Sequence, residues 1–156
     1  MQKASEDKVF AFNRAASHNY FLFDRYEAGV ALRGTEVKSI REGRANLKDS
    51  YAQVKNSEVW LLNCHISPYS HGNRQNHDPL RARKLLLHKN EIRRLIGKTV
   101  ERGFTLVPLQ LYLKKGRIKC EIALAKGKHT HDKREAIRRR ESDREARAEM
   151  GRRGRK

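Results

Sequence analysis

After Ala125 the chain has almost nothing left to bury. Residues 126–156 carry 13 basic and 6 acidic side chains, and their only aliphatic or thioether residues are Ala136, Ile137, Ala146, Ala148 and Met150. So few apolar groups cannot cover a domain face, and a segment of this kind does not offset its own ordering entropy. Folding is therefore confined to the first 125 residues, where 23 basic side chains stand against 12 acidic ones. A single domain of modest size is expected. The reading divides the chain into a flexible segment 1–12, a folded domain 13–125 and a basic C-terminal tail 126–156, largely disordered when free. Lys133 to Met150 lacks Pro and Gly and is rich in Arg, Glu and Ala, all good helix formers. The tail is expected to become helical along a polyanion; a solvated tail that only aids solubility is the plainer alternative.

The whole chain has 36 Lys+Arg and 18 Asp+Glu, a net charge of +18. Such a surplus strains a compact fold by self-repulsion and calls for an anionic partner. Nucleic acid fits best, because each phosphate paired with Lys or Arg releases a condensed counterion. A membrane partner would want a basic helix with an aromatic and aliphatic opposite face, and no segment offers one. Charge alone does not separate DNA from RNA. No apolar run approaches the ~20 residues of a membrane span. Met1 to Lys8 is polar and lacks the apolar stretch of a secretory signal. With only Cys64 and Cys120, there is no disulfide framework, and a reduced, cytoplasmic setting is expected.

Within the first 125 residues the periodicity is mostly that of strands. Asn19 to Asp24 and Gly29 to Gly34 read as two short strands. Thr35 is placed to cap a helix carrying Val37 and Ile40 and ending at Gly43. Tyr51 to Lys55 and Val59 to Ile66 form a hairpin around Asn56 and Ser57, with Trp60, Leu62, Cys64 and Ile66 on one face. Ser67 to Pro79 reads as a long functional loop. A second helix spans about His88 to Ile96, with Gly97 ending it. Thr105 to Leu113 and Arg117 to Leu124 make the clearest hairpin, turning at Lys114-Lys115-Gly116. Its second arm sends Ile118, Cys120, Ile122 and Leu124 to one side and Arg117, Lys119, Glu121 and Ala123 to the other. The expected fold is mainly β, a small closed antiparallel barrel with two or three short helices.

Catalytic and metal signatures are weak. Gly97-Lys98-Thr99 resembles the end of a phosphate-binding loop, but Ile92 stands where that loop needs its first glycine. His129-Thr130-His131 lacks the paired cysteines of a small zinc site, and the two cysteines read as buried neutral thiols. No nucleophile, base and orienting residue are announced together. The reading favours no enzyme, no metal and no cofactor. Basic residues beside small or amide residues carry more information. Lys38, Arg41, Arg44, Asn46 and Lys48 surround the first helix; Arg81, Arg83 and Lys84 precede Leu85-Leu86-Leu87; Lys114, Lys115, Arg117 and Lys119 decorate the last hairpin. On one barrel they make a groove for a folded RNA. Aromatic residues are only 7% of the chain, so a base-stacking platform is the weaker version.

Several ordered blocks resemble a known family. They are Tyr26-Glu27-Ala28-Gly29, Gly34-Thr35-Glu36-Val37-Lys38-Ser39 with Arg41-Glu42-Gly43, Asn46-Leu47, Asp78-Pro79, Arg83-Lys84-Leu85-Leu86-Leu87-His88, Leu106-Val107-Pro108-Leu109 and Ala125-Lys126-Gly127-Lys128 with Asp132-Lys133-Arg134-Glu135. In that order and spacing they resemble the bacterial small protein B (SmpB, SsrA-binding) family over essentially the whole chain. The resemblance implies an oligonucleotide-binding (OB-fold) barrel with a basic tail, acting as a monomer in trans-translation. It implies binding to the tRNA-like domain of transfer-messenger RNA (tmRNA) and delivery, with elongation factor Tu (EF-Tu) and GTP, to stalled ribosomes. The tail would then enter the empty mRNA channel at the decoding centre. Carried over by position, the tmRNA-facing residues are Glu27, Leu86 and Lys119, with Asn13, Arg14, Lys38, Arg41, Asn46, Arg83 and Lys84 as neighbours by block. Glu27 would accept from a base or ribose, or orient an arginine, with a structural ion pair as the alternative. Leu86 would touch a base or sugar, with a core position as the alternative. The ribosome-facing tail residues are Lys126, Lys128, His131, Asp132, Lys133 and Arg134. The chain departs from the family pattern at Ala15, Asn19 and His129.

Overall fold

Two long strands frame the fold in the computed structural model, which describes residues 8–71 and 76–128 together with Arg144 and Arg147. Strands β2 (Tyr20–Val30) and β9 (Arg117–Gly127) pair antiparallel from Tyr20↔Gly127 to Gly29↔Lys119. The other edge of β9 carries β8 (Thr105–Lys114), in register from Thr105↔Ala125 to Lys114↔Arg117. Their turn places Lys115 at φ 50° and Gly116 at φ 75°, the left-handed pair that suits a two-residue hairpin. Strands β4 (Tyr51–Lys55), β5 (Glu58–Leu62) and β7 (Arg83–Leu86) close the ring β8-β4-β5-β7-β2-β9 back onto β8. Closure gives each of these six strands a partner on both sides. Helices α1 (Ala16–Asn19), α2 (Gly34–Arg41) and α3 (Lys89–Ile96) pack around it, and β3 (Ala45–Asn46) pairs with β6 (His65–Ile66) as a small side ribbon. The mainly β antiparallel barrel with three short helices is the expected architecture.

The barrel interior follows the alternation of β9. Ile118, Cys120, Ile122 and Leu124 are buried with Val59, Leu61, Leu85, Leu106 and Leu111, and α3 adds Leu95. The opposite row is not left wet. Ala123 and Ala125 pack with Val107, Leu109 and Ala16 in a second apolar cluster, against which Tyr20 and Leu22 lie. A bulge in β2 makes this possible. Leu22 pairs with Ala125 and Arg25 with Ala123, so Phe23 and Asp24 together oppose one partner residue and the inward parity of β2 changes. Tyr26 and Ala28 therefore belong to the inner cluster while Leu22 belongs to the outer one.

Several local expectations change. The segment 1–12 contains β1 (Val9–Phe12), which pairs Val9↔Tyr112 and Phe12↔Gln110 on β8. Short β4 reaches β8 only at Leu106, leaving the rest of that edge for β1. Gly29 does not divide two strands, because β2 runs through it with β9 in register on one side and β7 on the other. The first helix is capped at Arg33, whose N–H donates to Glu36 Oε1 at 2.8 Å; Thr35 instead bonds His77 Nδ1 at 2.8 Å. On β5 the inward residues are Val59 and Leu61, with Trp60 and Leu62 outward. Asn63 at φ 60° then resets the phase so that Cys64 and Ile66 point in. Gly97 continues in helical geometry into a π-helical turn, Gly97–Glu101, and Gly103 at φ 71° ends it. Strand β9 continues through Gly127, so Lys126 belongs to the barrel rather than the tail.

A buried ion cluster ties α2 to the barrel. Glu36 and Arg83 are both fully buried, with Arg83 Nε 2.6 Å from Glu36 Oε2, and Arg81 pairs with Glu36 Oε1. Arg83 also donates to the carbonyls of Cys64 and Pro79. Burial pushes the Glu36 carboxyl up, but Arg81, the Arg33 N–H and Arg83 outweigh it and hold the group below its usual 4.5. Its stabilisation is complete above that value and is lost as pH falls through the lower folded value. Arg83→Met should destabilise the protein by about 3–5 kcal/mol in urea titration, because it takes away the buried cation on Glu36 Oε2 and leaves only Arg81 and the Arg33 N–H on Oε1. Both thiols are buried, Cys64 pushed up to about 11 and Cys120 higher, in each case mainly by burial. Neither should react with a maleimide at about pH 8 until the protein unfolds, as read by mass shift.

Candidate nucleic-acid interface

Gly29 is the centre of the site, because its neighbours in register come from two different strands. On one side it pairs with Leu86 of β7 and on the other with Lys119 of β9, which in turn pairs with Tyr112 of β8. The row Leu86–Gly29–Lys119 thus crosses the outer surface with no side chain at its middle. A Cβ on Gly29 would stand 3.3 Å from Leu86 Cβ and 3.5 Å from its Cδ1, so the leucine side chain leans over the glycine. Leu86 itself is 51% exposed. Along β7, Arg83 and Leu85 point in while Lys84 and Leu86 point out. The core alternative for Leu86 is thereby excluded.

Two hollows meet at this saddle. One, of about 840 Å³, is lined by Glu27, Gly29, Leu86, His88, Lys114 and Lys119 among others. The second, of about 430 Å³, shares Gly29, Leu86, Arg117 and Lys119 and extends to Arg41. Their shared residues make one continuous concave surface. Across it Arg41, Lys114, Lys115, Arg117 and Lys119 face only Glu27 and Glu91 as carboxylates. Glu27 accepts from Lys114 Nζ at 2.9 Å and from the Tyr112 hydroxyl. The Lys114 bond is the main cause that holds the Glu27 carboxyl below its ordinary range, against a modest opposing effect of burial. Tyr112 is pushed upward by burial and by Glu27, so its phenol stays protonated as a donor. Glu27 therefore fixes Lys114 at the rim while keeping lone pairs for an incoming donor.

The other expected residues fall elsewhere. Asn13 donates through Nδ2 to the Pro108 carbonyl at 2.9 Å and lines a separate hollow with Asn19 and Tyr51, next to exposed Arg14. Lys38 is exposed on α2 with its Nζ 5.3 Å from the Tyr69 ring centre. Asn46 accepts from the Lys48 N–H at 2.8 Å. Lys84 lies on the outer face, 3.7 Å from Glu58. Arg83 must be corrected: it is fully buried and spent on Glu36 and backbone carbonyls, because its strand phase points it inward. The basic hairpin tip was visible in the sequence, but Tyr112, His88 and the floor at Gly29 were not. His131, Asp132, Lys133 and Arg134 lie outside the described residues. The long loop is structural where described: His77 is 4% exposed and bonds the Ile66 carbonyl through Nε2 at 2.8 Å. Among the described residues no cluster of His, Cys, Asp and Glu is arranged to hold a metal ion. None of their helices is long and apolar enough to cross a membrane.

A family model for the SmpB protein matches residues 10–152. The chain belongs to the SmpB family. It is 60% identical over 141 residues to the SsrA-binding protein of Halalkalibacterium halodurans, covering 90% of this chain and 92% of that one. The SsrA-binding protein of Koribacter versatilis is 58% identical over 149 residues, covering 96% and 85% respectively. A solved structure described as "tmRNA-SmpB: a journey to the center of the bacterial ribosome" superposes with a TM-score of 0.65 at 48% identity, covering 82% of this chain and 94% of that one. For this SmpB-family chain the geometry separates two groups of basic residues. Lys119→Ala should leave stability within about 0.5 kcal/mol of the parent, as a surface change does, whereas Arg83→Ala should unfold much of the protein; paired thermal melts read the difference.

Proposed function

We propose that the protein is a non-enzymatic adaptor for trans-translation that binds tmRNA and the ribosome. The observation that carries this is the continuous cationic saddle built on Leu86, Gly29 and Lys119, in a chain 60% identical to an SsrA-binding protein. A concave surface with five cations and an apolar ridge suits the outside of a folded RNA. Phosphates meet Arg41, Lys114, Lys115, Arg117 and Lys119, and an unstacked base or ribose rests on Leu86. Gly29 leaves room for Leu86 to lean across the row, and Glu27 accepts from a base amino group or a ribose hydroxyl.

In this reading the RNA is the tRNA-like domain of tmRNA, delivered with EF-Tu and GTP to a stalled ribosome. The saddle and its rim, with Glu27, Arg41, Leu86 and Lys119, hold the RNA; Asn13, Arg14, Lys38, Asn46 and Lys84 serve as outlying contacts. The tail, beyond Lys126 and Lys128 and including His131, Asp132, Lys133 and Arg134, senses the empty mRNA channel at the decoding centre. Two features support a binding role over catalysis: the thiols are buried and pushed upward, and the exposed groups of the saddle pair as ligands for phosphate rather than as nucleophile and base.

Competition binding tests the reading. The protein should prefer the tRNA-like domain of tmRNA over random RNA of equal length, and Lys119→Ala with Arg41→Ala should cost about tenfold or more in affinity. Equal affinity for all RNAs, with only a salt slope of about −0.7 to −0.9 per phosphate contact, would instead fit a general RNA-binding barrel. Deleting residues 129–156 should spare binding to the tRNA-like domain and abolish peptide tagging in a reconstituted stalled-translation assay.

A further inference from the structure

The second place on the molecule where apolar surface and positive charge coincide lies about 25 Å from the saddle along β2, taking eight residues between Phe21 and Gly29 at about 3.3 Å each. There the interior row of the barrel runs out past its core. On β9, buried Leu124 is followed in the same row by exposed Lys126; on β2, the bulge brings Phe23 and Phe21 into that row. Phe21 and Phe23 are 45% and 47% exposed. Phe21 stands opposite Lys126 in register. Phe23 meets Phe104 edge to face at 5.0 Å, the Lys126 ammonium sits 4.6 Å over the Phe104 ring, and the Lys128 ammonium sits 5.1 Å from the Phe21 ring centre. Three of the five phenylalanines in the chain are thus gathered beside two lysines, Phe21 and Phe23 exposed and Phe104 half-buried against the main core.

Scattered exposed apolar residues need no explanation, but a contiguous aromatic patch does. We propose that Phe21, Phe23 and Phe104, with Lys126 and Lys128, form a stacking platform for the unpaired bases of single-stranded RNA, distinct from the saddle. The alternation of ring and ammonium matches the alternation of base and phosphate along a strand. An exposed cation–π contact is weak, so a base takes the ring face and the displaced lysine moves to the adjacent phosphate. A lipid surface is the poorer match, because Asp24 and Arg25 are exposed beside the rings and would have to be desolvated on insertion. The backbone of Lys128 is tied to the body through its N–H to the Asn19 carbonyl at 2.8 Å, and its Nζ donates to the Ser17 carbonyl at 3.1 Å. The platform is therefore fixed where the basic tail begins, and a strand engaged by the tail passes over it.

The test compares two oligomers of equal length and charge, an oligoadenylate octamer and a ribose-phosphate octamer without bases, on the full-length protein. The parent should bind the base-bearing octamer more tightly. The double variant Phe21→Ser, Phe23→Ser should lose about tenfold for it and less than about twofold for the abasic one. A Phe23→Trp variant carrying Trp60→Phe provides a second readout should the double variant fold poorly: its fluorescence should be quenched by the oligoadenylate and not by the abasic octamer. Equal binding of the two octamers by the parent, or equal quenching by both, would overturn the platform. So would capture by phosphatidylserine vesicles that the double variant abolishes while octamer binding stays unchanged. Affinity for the tRNA-like domain reports on the saddle and should be the same in parent and variants, so the two sites fail or stand separately.

Discussion

The fully buried contact between Glu36 and Arg83 holds together parts of the chain that nothing else joins as tightly. Through it α2 is fastened to β7, and Arg83 donates to the carbonyls of Cys64 and Pro79, the latter shared with the Ile66 N–H. A charge in this position is expensive to bury and persists only because every partner is present: Arg81 and the Arg33 N–H complete the shell around the carboxylate. The arrangement fixes the phase of β7. With Arg83 inward, Lys84 and Leu86 must face out, and Leu86 becomes the ridge of the cationic saddle. The same ion pair therefore contributes to stability and decides which leucine of Leu85-Leu86-Leu87 meets solvent.

A second constraint comes from the β2–β9 ribbon. It is one continuous pair of strands, yet its two ends present different chemistry because the bulge at Phe23 and Asp24 shifts the parity of one partner. Toward Gly29 the outer face forms the cationic saddle. Toward Phe21 the interior row escapes the core and brings aromatic rings to the surface beside Lys126 and Lys128. Since backbone hydrogen bonds span the whole ribbon, the spacing between these two regions is set by strand geometry. The ribbon thus holds the two regions at a set separation of about 25 Å.

Much of this was legible in the residues. The alternation of Ile118, Cys120, Ile122 and Leu124 announces an inner face because a strand has a period of two, and the hairpin turn is legible at Lys114-Lys115-Gly116, of which Lys114 proves to be the last residue of β8. The basic hairpin tip was visible as composition. The wall opposite was harder to read: Trp60 and Leu62 alternate convincingly, but Asn63 resets the phase beyond them, and a single left-handed residue leaves no mark in a hydropathy pattern. Val9–Phe12 was missed for a similar reason. A four-residue strand is too short to declare itself, and it forms because short β4 leaves an edge of β8 unpaired. Arg83 was placed on the surface because arginine usually is; burial became tolerable only through a glutamate 47 positions away.

By itself, the sequence determined that residues 126–156 hold too few apolar groups to build a core, that the fold is a small antiparallel barrel, that the charge surplus calls for an anionic partner, and which family the chain resembles. These follow from local period, composition and motif order, which need no knowledge of distant contacts. Tertiary structure alone decided which basic residues share a surface, that Arg83 serves the core and Leu86 the groove, and that three phenylalanines drawn from positions 21, 23 and 104 stand together. Those outcomes rest on strand register and on one bulge, and register is a long-range property: a shift of one residue exchanges the two faces of a strand while leaving its composition unchanged.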